Sequence, residues 1–584
     1  MAAPLLVGNC SGFYGDRLSA MREMLTGRSG GRALDVLTGD YLAELTMLIL
    51  GKDTMKDASL GYARTFVRQA EDTLGLALEQ GTRIVVNAGG LNPAGLADTL
   101  REVAAGLGLD PAVAHVEGDD LRPRAAELGL DGALTANAYL GGFGIAAALR
   151  EGADVVVTGR VTDASLVVGP GIAHHGWTPT SYDALAGAVV AGHVIECGTH
   201  ATGGNFSGFA VLRAAGALDR PLGFPLVELA EDGSCVVTKQ DGTGGAVSVD
   251  TVTAQLVYEI QTTRYLNPDV TVHLDTVEVE QEGAPEENRV RLSGTRGEAP
   301  PERLKVCVNT LGGFRNSMEL VLTGLDVEAK AAWVEEQVGP LLTAADIAWT
   351  RTALPAPDAD TEEGASCLLR VTARDPEAKP VAKAFTGPLV EIALGSYPGF
   401  TMTTPPGQPS PYGVYRPAYV DRSEVTEIVV HADGRREEVA GPKEFSETDP
   451  DHGRRPSPYP APIDAVTRRV PLGRFVHARS GDKGSDANIG LWVAHDLSVP
   501  EEKYAARVTW LTKLITPRKV RELLPEAADL DVDVYVLPNL GGVNVLVRGL
   551  LGEGVAASTR FDPQAKAVGE WLRSRTVHVQ EHLL

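Results

Sequence analysis

Cysteine is scarce and scattered: the five residues, Cys10, Cys197, Cys235, Cys307 and Cys367, are odd in number and form no CxxC pair. That excludes a disulfide framework and the usual spacing of a zinc or thioredoxin-like redox centre. Runs of Lys and Arg are also missing, and a net charge of -24 argues against a nucleic-acid footprint. No stretch is long and apolar enough to span a bilayer, so no membrane is expected. The opening MAAPLLVGNCSGFYGDR lacks a basic n-region, and its apolar run is too short for a signal peptide. A reducing cytoplasm is therefore the expected compartment, and an anionic substrate needs a local positive site.

What remains is a chain able to bury large cores. With 584 residues and 43% hydrophobic content, three or four domains of ~150 residues are expected. Four short apolar runs each end in a polar or glycine-bearing loop: Leu5-Leu6-Val7 into Gly8-Asn9-Cys10-Ser11-Gly12, Ile84-Val85-Val86 into Asn87-Ala88-Gly89-Gly90, Val113 to Val116 into Glu117-Gly118-Asp119-Asp120, and Val155-Val156-Val157 into Thr158-Gly159-Arg160. Such runs read as strands buried on both faces. Between them, Ala63, Phe66, Val67, Ala70, Leu74, Ala77 and Leu78 recur at helical spacing, as do Leu96, Leu100, Val103, Ala104 and Leu107, with Asn92 as N-cap and Pro93 at the first helical position. The expected fold class is α/β: a mostly parallel sheet with helices on both faces, a mixed central region, and a smaller C-terminal α/β sandwich.

Ligands of open α/β sheets lie beyond the carboxyl ends of the strands. Asn9, Ser11, Asn87, Gly89 and Gly90 are thus candidates to cradle a phosphate or carboxylate, although neither loop spells a dinucleotide or P-loop motif. In VVVTGRVTDASL, Arg160 can clamp an oxyanion and Asp163 can orient it, or the two can simply pair. Asp119 and Asp120 can bind a sugar hydroxyl or a hard cation, or be no more than solvated loop carboxylates. The densest chemistry is GHVIECGTHATGG, residues 192–204, in which Glu196 is the candidate acid/base, Cys197 a candidate nucleophile, and Thr202 and Gly203 a substrate-binding turn. No metal-ligand spacing stands out, and no metal is expected.

Further on, FPLVELAEDGSCVVTKQ carries a hairpin signal at Asp232-Gly233. Tyr258, Glu259, Tyr265, Asn267 and Asp269 can line a substrate wall or be ordinary strand residues. The segment TDPDHGRRPSPYPAP reads as a linker. Domain bounds are expected at 1–209, 210–445 and 466–584, with the linker at 446–465. In the last of these, the loop from Ser480 to Asn488, with Lys483, can hold a phosphate or reach the mouth of the main site, though a structural turn is a close alternative.

GNCSGFYGD, VVNAGGLNP, VEGDDL, VTGRVTDASL, GHVIECGTHATGG and LVYEIQTTRYLNPDV, in this order, resemble the acyclic terpene utilisation family, AtuA, and the C-terminal module is similar to the AtuA-like ferredoxin-fold domain. The resemblance implies a place in the breakdown of acyclic terpenoids such as citronellol and geraniol, whose intermediates are acyl-CoA thioesters. The family pattern often has glutamine where this chain has His200, which leaves Glu196, Cys197 and Thr202-Gly203-Gly204 as the better match. An enzyme acting on a branched or terpenoid-derived carboxylic acid or acyl-CoA thioester is expected, by hydration, elimination or acyl cleavage. The cofactor is left open beyond a CoA-linked substrate. A homo-oligomer is expected. The rival reading is a non-catalytic binding or assembly subunit of an acyl-CoA carboxylase pathway.

Overall fold

A computed structural model describes residues 3–446 and 466–584. The linker expected at 446–465 lies, apart from Ser446, outside the described residues. The chain divides into two compact units, one built from Met1–Asn309, Tyr415–Val555 and Gln564–Leu584, the other from Thr310–Val414 and Ala556–Pro563.

In the first unit the elements run β1 (Leu5–Asn9), α1 (Ala20–Thr26), β2 (Val36–Gly39), α2 (Glu44–Lys56), α3 (Arg64–Gln80), β3 (Arg83–Val86), α4 (Pro93–Gly106), β4 (Val113–Glu117), β5 (Thr135–Ala138), α5 (Phe143–Arg150), β6 (Val155–Thr158), α6 (Ser165–His175) and α7 (Tyr182–Ile195). Strands β1, β2, β3, β6 and β4 lie side by side in that order and parallel. Alternation along them divides the core in two. Leu6, Leu37, Ile84, Val155 and Val157 pack with Met24, Phe66, Leu74, Leu96 and Leu100 of α1, α3 and α4, whereas Val7, Val36, Val85 and Val156 pack with Ile145, Val168 and Val189 of α5, α6 and α7. Each such buried aliphatic contributes about 1.5–3 kcal/mol before chain entropy is counted. Helix α4 starts as expected, the Asn92 side chain accepting from Gly95 N at 2.9 Å with Pro93 at the first position.

The expectation of a mostly parallel sheet is corrected. The sheet has eleven strands, and only the four junctions among β1, β2, β3, β6 and β4 are parallel. Strand β7 (Pro225–Leu229) returns antiparallel beside β1 and turns into β8 (Cys235–Lys239). Beyond β8 lie Val290–Ser293 and Glu278–Gln281, and beyond β4 lie Ile428–Val430 and Arg436–Glu438, all antiparallel. Between β7 and β8 the short turn at Asp232-Gly233 suffices for an antiparallel return, whereas a parallel one needs a dozen or more residues.

Helix α7 is buried continuously from Leu185 to Ile195. It fits because of its small residues: a Cβ on Gly187 would stand 2.1 Å from the Gly233 carbonyl oxygen. The C-terminal module is an antiparallel sheet in the order Val476–Lys483, Asp486–Val493, Gly542–Val547, Val532–Leu537. One face packs Ile489, Leu491, Val534 and Val545 against Leu511, Val520 and Leu572 of its helices. The other face meets the main sheet's unit at residues 250–261: Asn488 accepts from Glu259 N (2.7 Å) and donates to Val257 O (3.2 Å), and Trp492 Nε1 donates to Asp250 (2.9 Å).

The second unit has its own sheet, in which Asp346–Arg351, Ser366–Asp375 and the distal part of the strand Arg303–Thr323 run antiparallel. Leu320, Leu322, Val371 and Ala373 pack there with Val334 and Phe385 from the helices Val327–Val338 and Lys383–Glu391. Among the described residues, no helix is long and apolar enough to cross a membrane.

Candidate functional site

The carboxyl ends of β1, β2, β3 and β6 and the C-terminus of α7 meet in one polar chamber. At the end of β1, the Asn9 amide donates to the carbonyls of Ile195 (2.8 Å) and Glu196 (2.7 Å), satisfying two of the carbonyls that a helix end leaves open. Asn9 thereby fixes where Glu196 stands. A Cβ on Gly12 would come within 2.6 Å of the Cys197 carbonyl carbon, so this loop lies directly on the same turn. At the end of β2, Asp40 accepts from Asn87 Nδ2 (2.6 Å) and Leu42 N (3.2 Å), and Asn87 in turn accepts from Tyr41 N (2.8 Å).

At the end of β6, Arg160 is buried, with Nη1 donating to Leu42 O (3.1 Å) and Asp163 Oδ1 (3.0 Å) and its guanidinium 4.4 Å above the Tyr139 ring. Its Nε has no hydrogen-bond partner. Asp119, at the end of β4, accepts from Arg160 N and from Asn137 Nδ2, each at 2.8 Å, and so clamps the backbone that carries the arginine. Burial, working against those two hydrogen bonds, pushes its carboxyl up to about 7.

Asp40, Asp163 and Glu196 each offer an oxygen, all within 4.8 Å of one another. Two full charges that close repel by about 3–4 kcal/mol at an effective dielectric near 20. Burial, then Asp163 and Glu196, hold Asp40 well above the usual carboxylate range; burial, then Asp163 and Glu259, do the same to Glu196. Burial also raises Asp163, although Arg160 pulls it back. The trio thus holds protons at pH values where exposed carboxylates have lost them, or is neutralised by a cation. Beside it, His193 Nδ1 is 3.4 Å from Glu196 Oε1, and burial, followed by Lys483, pushes the imidazole down to about 4, leaving it neutral.

The sequence-predicted residues fall into four groups. Asn9, Asn87, Arg160, Asp163 and Glu196 come together at the chamber, with Asp119 behind Arg160. Ser11, Gly89 and Gly90 are backbone ties in place of an anion cradle: Ser11 Oγ donates to Phe13 O (3.0 Å), Gly89 N to Thr158 O (3.0 Å) and Gly90 N to Asn87 O (3.2 Å). Thr202 Oγ1 donates to Gly223 O (2.7 Å), and Gly203, at φ +112, turns the chain beside Leu212, so both stand away from the trio as packing elements. Cys197 adjoins Glu196, but burial, then Glu196 and Glu259, push its thiol well up, opposite to what a nucleophilic thiolate needs.

Asp40, His193 and Glu44 are chamber residues that the sequence reading did not single out. Asp40 had a signal: Leu37-Thr38-Gly39-Asp40 ends β2 in the same grammar as Val157-Thr158-Gly159-Arg160 ends β6. Around the trio stands a ring of cations. Lys483, from the C-terminal module, lowers Glu196 and Asp163. Lys305 lies 3.8 Å from Glu44, whose half-buried carboxyl is raised by desolvation yet drops to about 2 under Lys305 and Arg160. Arg479 lies 4.2 Å above the Tyr258 ring and bonds His200 Nδ1 at 2.6 Å; burial, then Arg479, hold His200 well below its ordinary range. Glu259 sits at φ +54, the left-handed region that a residue with a Cβ avoids, with its N–H held by Asn488.

Residues 5–431 match the model of the acyclic terpene utilisation family protein AtuA, and residues 470–578 match the AtuA ferredoxin-like domain. The chain belongs to the AtuA family. The resemblance carried by the strand-end motifs is thereby established over most of the chain; GNCSGFYGD, VVNAGGLNP, VTGRVTDASL and GHVIECGTHATGG supply Asn9, Asn87, Arg160, Asp163 and Glu196 to the chamber, while Asp40 comes from outside them. No curated protein and no solved structure matches the chain. Family membership places the protein in acyclic terpene utilisation.

Proposed function

We propose that this AtuA protein is a catabolic enzyme that acts on a branched or terpenoid-derived carboxylic acid or acyl-CoA thioester. The observation that carries the reading is Glu196: a buried carboxyl whose affinity for its proton is raised by burial and by Asp163, the residue that Arg160 pairs with at the carboxyl ends of the parallel strands. A proton-bearing carboxyl near a guanidinium fits a substrate with an acidic or carbonyl oxygen, the guanidinium and Lys483 attracting the oxygen while Glu196 gives or takes the proton. In hydration a water adds to one carbon of the double bond while the other carbon takes a proton, and elimination is the reverse with water leaving. Glu196 would give or take the proton, and water is the other reactant. Acyl cleavage through Cys197 would need a thiolate, which the surroundings of the thiol oppose.

Purified protein incubated with a panel of branched and unsaturated acyl-CoA thioesters and their free acids, followed by mass spectrometry, tests this. Turnover should fall by about 10²–10⁴ in Glu196→Gln with the melting temperature retained, and stay within a few-fold of wild type in Cys197→Ser. Full activity in Glu196→Gln would remove the assignment. Growth of the host on acyclic terpenes that is indifferent to Glu196→Gln would favour the assembly-subunit reading.

A further inference from the structure

We propose that the chamber at the strand ends binds one divalent cation, held by the carboxylates of Asp40, Asp163 and Glu196, with the His193 imidazole beside Glu196. Three carboxylate oxygens within 4.8 Å of one another, delivered by the end of β2, the loop after β6 and the end of α7, suit a hard or borderline cation. Two further buried groups point to the same ligand. Glu196 Oε2 is buried and accepts no hydrogen bond. His193 is 1% exposed, and neither ring nitrogen has a hydrogen-bond partner, although Nδ1 stands 3.4 Å from Glu196 Oε1. The Gln255 carbonyl lies near the ring but makes no hydrogen bond to it. Native interiors rarely leave buried polar atoms unsatisfied, and a carboxylate oxygen and an imidazole left so side by side mark a place short of a partner, which a cation on the three carboxylates supplies to Glu196.

The local charge agrees. Arg160 is bonded to Asp163 and offsets one of the three carboxylates, leaving two negative charges for a dication. Lys483 and Glu259, the charges that next reach Glu196, oppose each other. This inference shares its site with the proposed function, and rests on it only for the substrate's oxygen. A cation here would polarise a carbonyl or carboxylate oxygen, with Glu196 then a ligand in place of a proton donor.

Full-length protein stripped with a chelator and dialysed is titrated with Mn²⁺, following the electron paramagnetic resonance signal of the free ion. The expected result is one saturable Mn²⁺ per chain, bound at least tenfold more weakly by Asp163→Asn and His193→Ala, and unchanged by Asp72→Asn, whose carboxylate meets Arg22 on an exposed face. Asp163 is the most accessible of the trio, so its variant carries the least risk to folding. No saturable binding by the wild type, equal weakening by Asp72→Asn, or undiminished binding in both Asp163→Asn and His193→Ala overturns the proposal. Turnover separates the two readings: activity that survives chelation but is lost in Glu196→Gln keeps the acid/base assignment and removes the cation, whereas Mn²⁺ binding with turnover indifferent to Glu196→Gln does the reverse.

Discussion

Asp119 shows how a residue can belong to a site without facing a substrate. Its carboxylate holds Arg160 N and Asn137 Nδ2, and burial lifts its titration to about 7. The folded state therefore keeps a proton that the unfolded chain releases near its ordinary value of about 4. Stability drawn from that proton is complete below about pH 4, declines as pH rises, and is gone once pH has passed about 7. Urea unfolding at pH 5, 6 and 7 should show wild type losing up to about 1.4 kcal/mol per unit more than Asp119→Asn, which keeps an acceptor oxygen but does not titrate. Equal slopes in the two proteins would mean that Asp119 is ionised throughout.

At the scale of elements, α7 matters most, because its C-terminus carries His193 and Glu196 while its middle presses on the β7–β8 hairpin. Gly187→Ala would set a Cβ 2.1 Å from the Gly233 carbonyl oxygen. Overpacking of that kind costs about 1–3 kcal/mol. In contrast, Gly75→Ala in the interior of α3 meets only Leu109 at 3.6 Å and should stabilise by about 0.5–1 kcal/mol. Thermal melts of the two variants should move in opposite directions; a neutral Gly187→Ala would show that the helix has room to shift. Elements of this kind differ in how openly the sequence displays them. Strands β1, β3, β4 and β6 were legible as short β-branched runs ending in polar loops, and α3 and α4 as periodic helices with a clear cap. Strand β2 was not, since Val36-Leu37-Thr38-Gly39 offers only two large apolar residues, and with it went Asp40, a third of the carboxylate cluster. Pairing direction was hidden as well: a buried run looks the same whether its neighbour runs with or against it, and so the antiparallel wings passed for more of a parallel sheet. Glu196 and Arg160 were legible as chemistry. Their approach to one cleft followed from the rule that ligands lie beyond the strand ends, but the depth of their burial did not, because burial sets the properties of such groups and is not written in local spacing.

On the scale of the molecule, the C-terminal module docks through apolar side chains such as Trp492 and Leu540 and through polar ties, of which Asn488 holds two backbone groups beside the chamber. It serves Val257 O and Glu259 N together. Asn488→Ala leaves both without that partner, at a cost of about 2–4 kcal/mol. Hydrogen exchange should quicken jointly in residues 257–261 and 486–493 and leave β1 to β3 untouched; protection unchanged in both stretches would show that the docking does not depend on this side chain. The same docking has a consequence in time. The carboxylates of the trio and Arg160 are all on the nascent chain by Glu196, whereas Lys483, the second cation that acts on Glu196 and Asp163, is translated far later. The chamber therefore lacks one of its two counter-charges until the C-terminal module has been made and has docked.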